Sequence, residues 1–371
     1  MKRFEIDPFI VMDIIRESRK YNDTIHFEVG EPDLRPSPKV IDAIKEKAVE
    51  SFGYTESKGL LTLREKIAEF YKKKYRVNID PERIIVTVGT SGAFNLAFNL
   101  LVEEKESIAF SDPTYPCYKN IAKIFKIPNL SIPVDESTNY QIVPEMLKKK
   151  KIKCLLISSP ANPTGTIYDK KSLKNLITYC EENGIYLISD EIYHGLVYEN
   201  FQEYSALQFS DNVVVINGFS KYFCMPGIRV GWIILPQHLV RRGEILQQNM
   251  FISAPTISQY AGIAAFDYEY LNYVKTVYEK RRDFLYNELK EIFEIKTIPQ
   301  GGFYIWVNSS RFSDDSFSLC RKILKDIRVA ITPGIDFGKN KTNHYIRFAF
   351  TRKIDHMKTG IERLKEYLLK P

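Results

Sequence analysis

The chain has 371 residues, of which 44% are hydrophobic and 27% charged, which excludes disorder, collagen and low-complexity fibre and leaves a globular protein long enough for roughly two domains. Lys and Arg number 53 against 46 Asp and Glu, a net charge of +7 that is spread along the chain and too mild to mark a nucleic-acid or membrane surface. Runs such as Lys72 to Lys74 and Lys148 to Lys151 fall at expected helix ends, where cations offset the helix dipole. Five widely spaced cysteines (Cys117, Cys154, Cys180, Cys224, Cys320) form no C-x-x-C, so neither a disulfide framework nor a zinc site is expected.

From Met1 to Pro8, acids and a proline come before any apolar segment can form, unlike an export signal. No run approaches the ~18 apolar residues of a membrane span. The expectation is a cytoplasmic protein with no membrane or nucleic-acid partner. Ser37-Pro38 reads as the cap and first residue of a helix that buries Val40, Ile41, Ile44 and Ala48. A second helix is expected from near Gly59, with Leu60, Leu63, Ile67, Phe70 and Tyr71 on its buried side. There follow a strand over 84–88, the turn Gly89-Thr90-Ser91-Gly92, and a helix from Ala93 towards Val102. The near-continuous apolar run over 152–158 is the mark of a strand buried on both faces. A helix from Asp169 stops at Asn183-Gly184, and strands are expected over 185–189, 213–217 and 231–235. Strands alternating with amphipathic helices indicate a parallel sheet covered by helices.

A long charged helix over about 267–294 then leads to a smaller α+β unit. That unit has strands over 303–307, 329–332 and 345–350, a helix over 317–327 and a last helix from Ile354. The long helix is the expected connector. The N-terminal ~35 residues lack a core of their own and should pack on this unit, giving a large domain over 39–284 and a small one from 1–38 and 285–371.

Four polar features fall just beyond strand ends, where open α/β sheets build ligand sites. Gly89-Thr90-Ser91-Gly92 offers close backbone approach and free N–H groups to an anion, although many such turns hold glycine for conformation alone. Asn162-Pro163-Thr164-Gly165 is by itself a turn. Asp190 in Asp190-Glu191-Ile192-Tyr193 is equally the cap of a following helix. Lys221, in Asn217-Gly218-Phe219-Ser220-Lys221, directly follows a buried strand, and Arg229 lies eight residues on. Desolvation favours a lysine's neutral amine, the form that attacks a carbonyl, and an arginine with a serine hydroxyl can hold a phosphate. A Schiff-base lysine, a phosphate cradle (Thr90, Ser91, Ser220, Arg229) and a buried acid are together the parts of a pyridoxal 5′-phosphate site.

In this order the motifs resemble the class I/II, fold-type I pyridoxal-phosphate aminotransferases, the aspartate aminotransferase superfamily. Gly30-Glu31-Pro32-Asp33, Tyr54 with Gly59, Leu63 and Arg64, and Asp112-Pro113-Thr114-Tyr115-Pro116 match its N-terminal segments. Ser220-Lys221 with Gly227, Arg229 and Gly231, then Gly301-Gly302-Phe303-Tyr304-Ile305-Trp306 and Ile346-Arg347-Phe348, match the later ones. The resemblance implies a three-layer αβα large domain with a mostly parallel sheet and a small α+β domain. It implies that Lys221 binds the cofactor aldehyde and shuttles the substrate proton, Asp190 pairs with the pyridinium nitrogen, and Asn162 and Tyr193 bond the ring oxygen. Tyr115 would stack on the ring, Thr90, Ser91, Ser220 and Arg229 would grip the phosphate, and Arg347 and Gly30 would receive the substrate carboxylate. Tyr54 would reach the neighbouring subunit's phosphate, which implies a homodimer with shared active sites.

The expected reaction moves an amino group from aspartate, alanine or an aromatic amino acid to 2-oxoglutarate. A C–S lyase or a decarboxylase on the same cofactor is the alternative. Arg35 and Lys39 are candidates for reading a second carboxylate, while His194 is taken as structural. A serine hydrolase using the Gly-x-Ser core at Ser91 with His344 or His356 would leave Lys221 and Asn162 unexplained. A DNA-binding sensor on the same fold would need more chain ahead of Gly30 than is expected.

Overall fold

In the computed structural model, which describes residues 6–370, the chain opens with α1 (Ile10–Ser18), β1 (Ile25–His26), α2 (Pro38–Lys47) and α3 (Leu61–Tyr75). The central stretch runs β2 (Ile84–Thr87), α4 (Gly89–Leu101), β3 (Ile108–Asp112), α5 (Pro116–Ile124), β4 (Asn129–Pro133) and α6 (Pro144–Leu147). It continues with β5 (Cys154–Ser158), α7 (Lys170–Glu182), β6 (Tyr186–Asp190), β7 (Val214–Gly218) and β8 (Gly231–Ile234). Then come α8 (Val240–Met250), α9 (Thr256–Ala264), α10 (Tyr268–Leu289), β9 (Tyr304–Asn308), α11 (Ser316–Ile327), β10 (Val329–Ala330), β11 (Thr332–Pro333), β12 (Tyr345–Ala349) and α12 (Ile354–Leu369). The segment Met1 to Glu5, part of the stretch read above for an export signal, lies outside the described residues, as does Pro371.

Seven strands form one sheet in the order β2-β8-β7-β6-β5-β3-β4. Strands β4, β3, β5, β6 and β7 run parallel, and β8 is antiparallel to both β7 and β2. Side chains alternate between its two faces, as a pleated strand requires. Leu155, Ile157, Val215 and Trp232 enter the core under α3, while Cys154, Leu156, Ile216 and Ile233 enter the one that holds Phe94 and Phe98 of α4. Both faces are therefore dry, which explains the unbroken apolar run of β5. A second, three-stranded antiparallel sheet, β11-β12-β9, carries Arg347 at its centre. N-terminal β1 pairs in parallel with β10, Ile25 opposite Val329. Among the described residues no helix is long and apolar enough to cross a membrane.

Several expectations need correction. Helix α4 starts at Gly89, not Ala93, so Thr90 and Ser91 lie in its first turn. The turn is held there by close packing: a Cβ on Gly231 would sit 2.9 Å from the Gly89 carbonyl carbon, and one on Gly218 would sit 3.1 Å from the Gly231 Cα. Strands β3 and β4 were not foreseen. β4 is an edge strand with little buried surface and so shows no apolar signature. The run over 329–332 divides into β10 and β11, which pair with different sheets. On α2, capped by Ser37 as read, only Val40 is buried, while Ile41 and Ala48 face outward. The long helix ends at Leu289, five residues before the expected end.

Candidate active site

The C-terminal ends of β5, β6 and β7 and the start of α4 enclose a cavity of about 200 Å³. At its outer end α4 begins without any side-chain cap, so the N–H groups of its first turn, those of Thr90 and Ser91 among them, are unclaimed by a capping side chain. Arg229, in a left-handed backbone conformation (φ 57°), donates from Nη1 to the Pro226 carbonyl at 2.9 Å. Its guanidinium lies over Gly89, where a Cβ would come within 2.6 Å of Nη2. Ser220 lines the same end.

At the inner end Asp190, the last residue of β6, is only 3% exposed. Its Oδ2 accepts from the Tyr118 hydroxyl and its Oδ1 from the Ile192 N–H at 3.1 Å. Burial raises its carboxyl to about 6, against the pull of those hydrogen bonds and of the Lys221 charge. No helix follows, so the cap reading fails: the chain turns at once over 191–195.

Between these ends Lys221, half-buried after β7, donates from Nζ to the Gly30 carbonyl at 2.7 Å and sits 5.9 Å from the Tyr193 ring centroid. Arg347, 5% exposed, lies between the rings of Tyr304 (4.2 Å) and Phe337 (4.7 Å). Its Nη1 donates to Asn162 Oδ1 at 2.9 Å and its Nη2 to the Glu28 carbonyl at 2.7 Å, while the buried Nε has no partner. The Tyr193 and Tyr304 hydroxyls are 2.9 Å apart. Gly30 is required at its position, since a Cβ there would fall 1.7 Å from the Tyr304 oxygen. Tyr115 forms a wall, edge-on to Tyr118 at 5.4 Å and stacked with Phe9 at 6.2 Å.

The cavity thus gathers Thr90, Ser91, Tyr115, Asn162, Asp190, Tyr193, Ser220, Lys221 and Arg229, with Arg347 and Gly30 at its edge. Tyr54 is not among them: it is 82% exposed. Arg35 is exposed, and Lys39 pairs with Asp267 at 3.0 Å, so neither lines the cavity. No histidine does either. His356 accepts from the His26 N–H and His344 lies beside Asp314, leaving Ser91 without a base. His194 is buried behind the site, 2.7 Å from the Tyr75 hydroxyl. Sequence reasoning missed Tyr118 and gave Tyr304 no role. The only signal for Tyr118 was its i+3 spacing from Tyr115 along α5.

These residues fit pyridoxal 5′-phosphate. An uncapped helix start with Arg229 suits the phosphate, the buried Asp190 suits a protonated ring nitrogen, Lys221 offers the amine, and the orphaned Arg347 Nε awaits an anion. A family model described as aminotransferase class I and II matches residues 22–364. A (5-formylfuran-3-yl)methyl phosphate transaminase from Methanocaldococcus jannaschii is 38% identical over 98% of this chain and 98% of its own. A valine–pyruvate aminotransferase from Mycobacterium tuberculosis is 33% identical over 99% of this chain and 97% of its own. A crystal structure of an aminotransferase from Mycobacterium tuberculosis matches with a TM-score of 0.96 at 32% identity, covering 100% of this chain and 98% of that one. The chain belongs to the class I and II aminotransferases and is a pyridoxal-phosphate-dependent transaminase.

Proposed function

We propose that the chain moves an amino group from a monocarboxylic L-amino acid, alanine or an aromatic one, to a 2-oxo acid. The observation that carries this is a single amine, Lys221, held between a buried carboxylate and an anion cradle, with one buried arginine, Arg347, at the cavity edge. When bound, pyridoxal phosphate supplies an aldehyde for the amino group and a ring that takes up the electron pair released at Cα. Thr90, Ser91, Ser220 and Arg229 hold the phosphate, and Tyr115 covers one ring face. Asp190 accepts the ring N–H and keeps the proton there. Asn162 and Tyr193 donate to the ring oxygen. Arg347 forks onto the substrate carboxylate, which Gly30 lets approach. Lys221 Nζ, as a free amine beside the bound substrate, would accept the Cα proton and hand it on.

The cavity lining is aromatic (Phe94, Tyr115, Tyr118, Tyr304), and its cations, Lys221 and Arg229, are already engaged. Aspartate therefore lacks a partner for its second carboxylate within this chain, which favours an apolar side chain. Arg347 also disfavours decarboxylation, because its pairing stabilises the carboxylate charge that is lost as neutral CO2 forms. The enzyme is proposed to work as a homodimer. Val49, Phe52 and Tyr54 are 80%, 84% and 82% exposed, an apolar surface of the kind a partner subunit covers. The two-domain division at 38/39 and 284/285 belongs to the same reading.

A half-reaction screen tests it. Each amino acid is added to the yellow holoenzyme and the loss of the cofactor's absorbance band is scored. Alanine or an aromatic amino acid should discharge it faster than aspartate. If no amino acid does, this assignment falls.

A further inference from the structure

The two groups that face the ring oxygen in the proposed site are each backed by a second side chain. For Asn162 the backing group is Arg347, whose Nη1 occupies Oδ1 and leaves Nδ2 as the free end. For Tyr193 it is Tyr304, hydroxyl to hydroxyl at 2.9 Å, with both side chains buried. Each hydroxyl carries one proton, so the contact uses one and leaves one to spare. The Tyr304 oxygen is pressed against Gly30, so closely that a Cβ there would fall 1.7 Å away, and the Gly30 carbonyl is already engaged by Lys221 Nζ at 2.7 Å. Its ring is fixed by the Arg347 guanidinium at 4.2 Å and edge-on by Tyr193 at 5.8 Å. The pair is best satisfied when Tyr304 donates and the Tyr193 proton turns into the cavity.

We propose that Tyr304 is a positioning residue, donating to the Tyr193 oxygen so that the Tyr193 proton is aimed at the ring oxygen of bound pyridoxal phosphate. This rests on the reading that Tyr193 faces that oxygen. Hydrogen bonds in series polarise one another, so the donor in front is strengthened by the one behind. Tyr304 acts through Tyr193 and has no independent effect on the ring.

The test is a double-mutant cycle on the holoenzyme, with Y193F, Y304F and the double variant. It reads the pH midpoint of the bound cofactor's absorbance change and, separately, cofactor affinity by titration of the apoenzyme. Thermal unfolding of each variant checks that it folds. Loss of a donor to a negatively charged oxygen should raise the midpoint. Y193F should give the largest rise, Y304F a rise of about half a unit (roughly threefold), and the double variant no more than Y193F alone. An unmoved midpoint in Y304F beside a shifted one in Y193F overturns the proposal. So does a Y304F effect that adds fully to that of Y193F, which would mean Tyr304 touches the ligand directly. If Y193F itself leaves the midpoint and the affinity unchanged, the reading of Tyr193 fails and the proposal falls with it.

Discussion

Arg347 shows how much a single side chain can be committed before a substrate arrives. Its donors to Asn162, Glu28 and Thr332 fix the guanidinium plane, and its Nε remains buried and unpartnered. A lysine cannot reproduce this fork, so R347K is expected to raise KM and lower kcat/KM by about 100-fold, on the order of 3 kcal/mol. Steady-state kinetics with the preferred amino acid measure it, and a loss under threefold would refute it. For Lys221, K221A should still bind the cofactor yet lose the adduct that borohydride traps. An adduct that survives would mean another lysine is the anchor. The residues that gather in the cavity were legible because glycine turns, an acid at a strand end and a lysine after a buried strand each leave a mark in the sequence. Tyr118 and Tyr304 were not: a tyrosine reads as core until the structure supplies its partner, Asp190 for one and Tyr193 for the other.

At the level of elements, β6 and α3 enclose a buried polar network. Burial pushes Glu191 up to about 8, despite hydrogen bonds from the Ala206 N–H, Ser205 and Ser189. Burial also pushes His194 down to about 4, so at neutral pH both groups are held uncharged. Glu191 keeps its proton in the fold and gives it up when unfolded, so stability falls as pH rises from about 4.5 to about 8. His194 refuses a proton that the unfolded chain accepts, so stability also falls as pH drops from 6.5 to about 4. Denaturant unfolding between pH 5 and 9 should therefore show E191Q removing a loss of about 4 kcal/mol across that range, so that stability climbs more steeply from pH 5 to 6.5 and the alkaline limb flattens up to about pH 8. An unaltered alkaline limb would count against this account. Element boundaries were the least legible feature. Helix α4 begins early because of glycine packing from β7 and β8, which no local pattern in its own sequence encodes.

For the whole molecule, the α/β class was evident from the alternation of strands and helices, since a sheet dry on both faces requires continuous apolar runs. Edge strand β4 and the division of β10 from β11 depended on which sheet each segment joins. The proposed homodimer rests on the exposed apolar side chains of Val49, Phe52 and Tyr54. Replacing Val49 and Phe52 together by Asp should convert a dimer in sedimentation to a monomer. It should also weaken cofactor binding by about tenfold or more if Tyr54 completes the partner's phosphate site. A variant that remains dimeric would show the interface lies elsewhere.

The reversed strand β8 has a consequence for how the protein comes into being. It is wedged between β2 and β7, and it joins Ile84 to Ile234 across almost the whole length of the central stretch. Such a long loop is entropically costly to close, and pairings of this kind form slowly. The start of α4 rests on Gly231, the first residue of that strand, so the proposed phosphate cradle is not shaped until β8 docks. During synthesis, the ability to hold the cofactor must lag well behind the appearance of α4 itself, and in refolding it should return with the slowest phase.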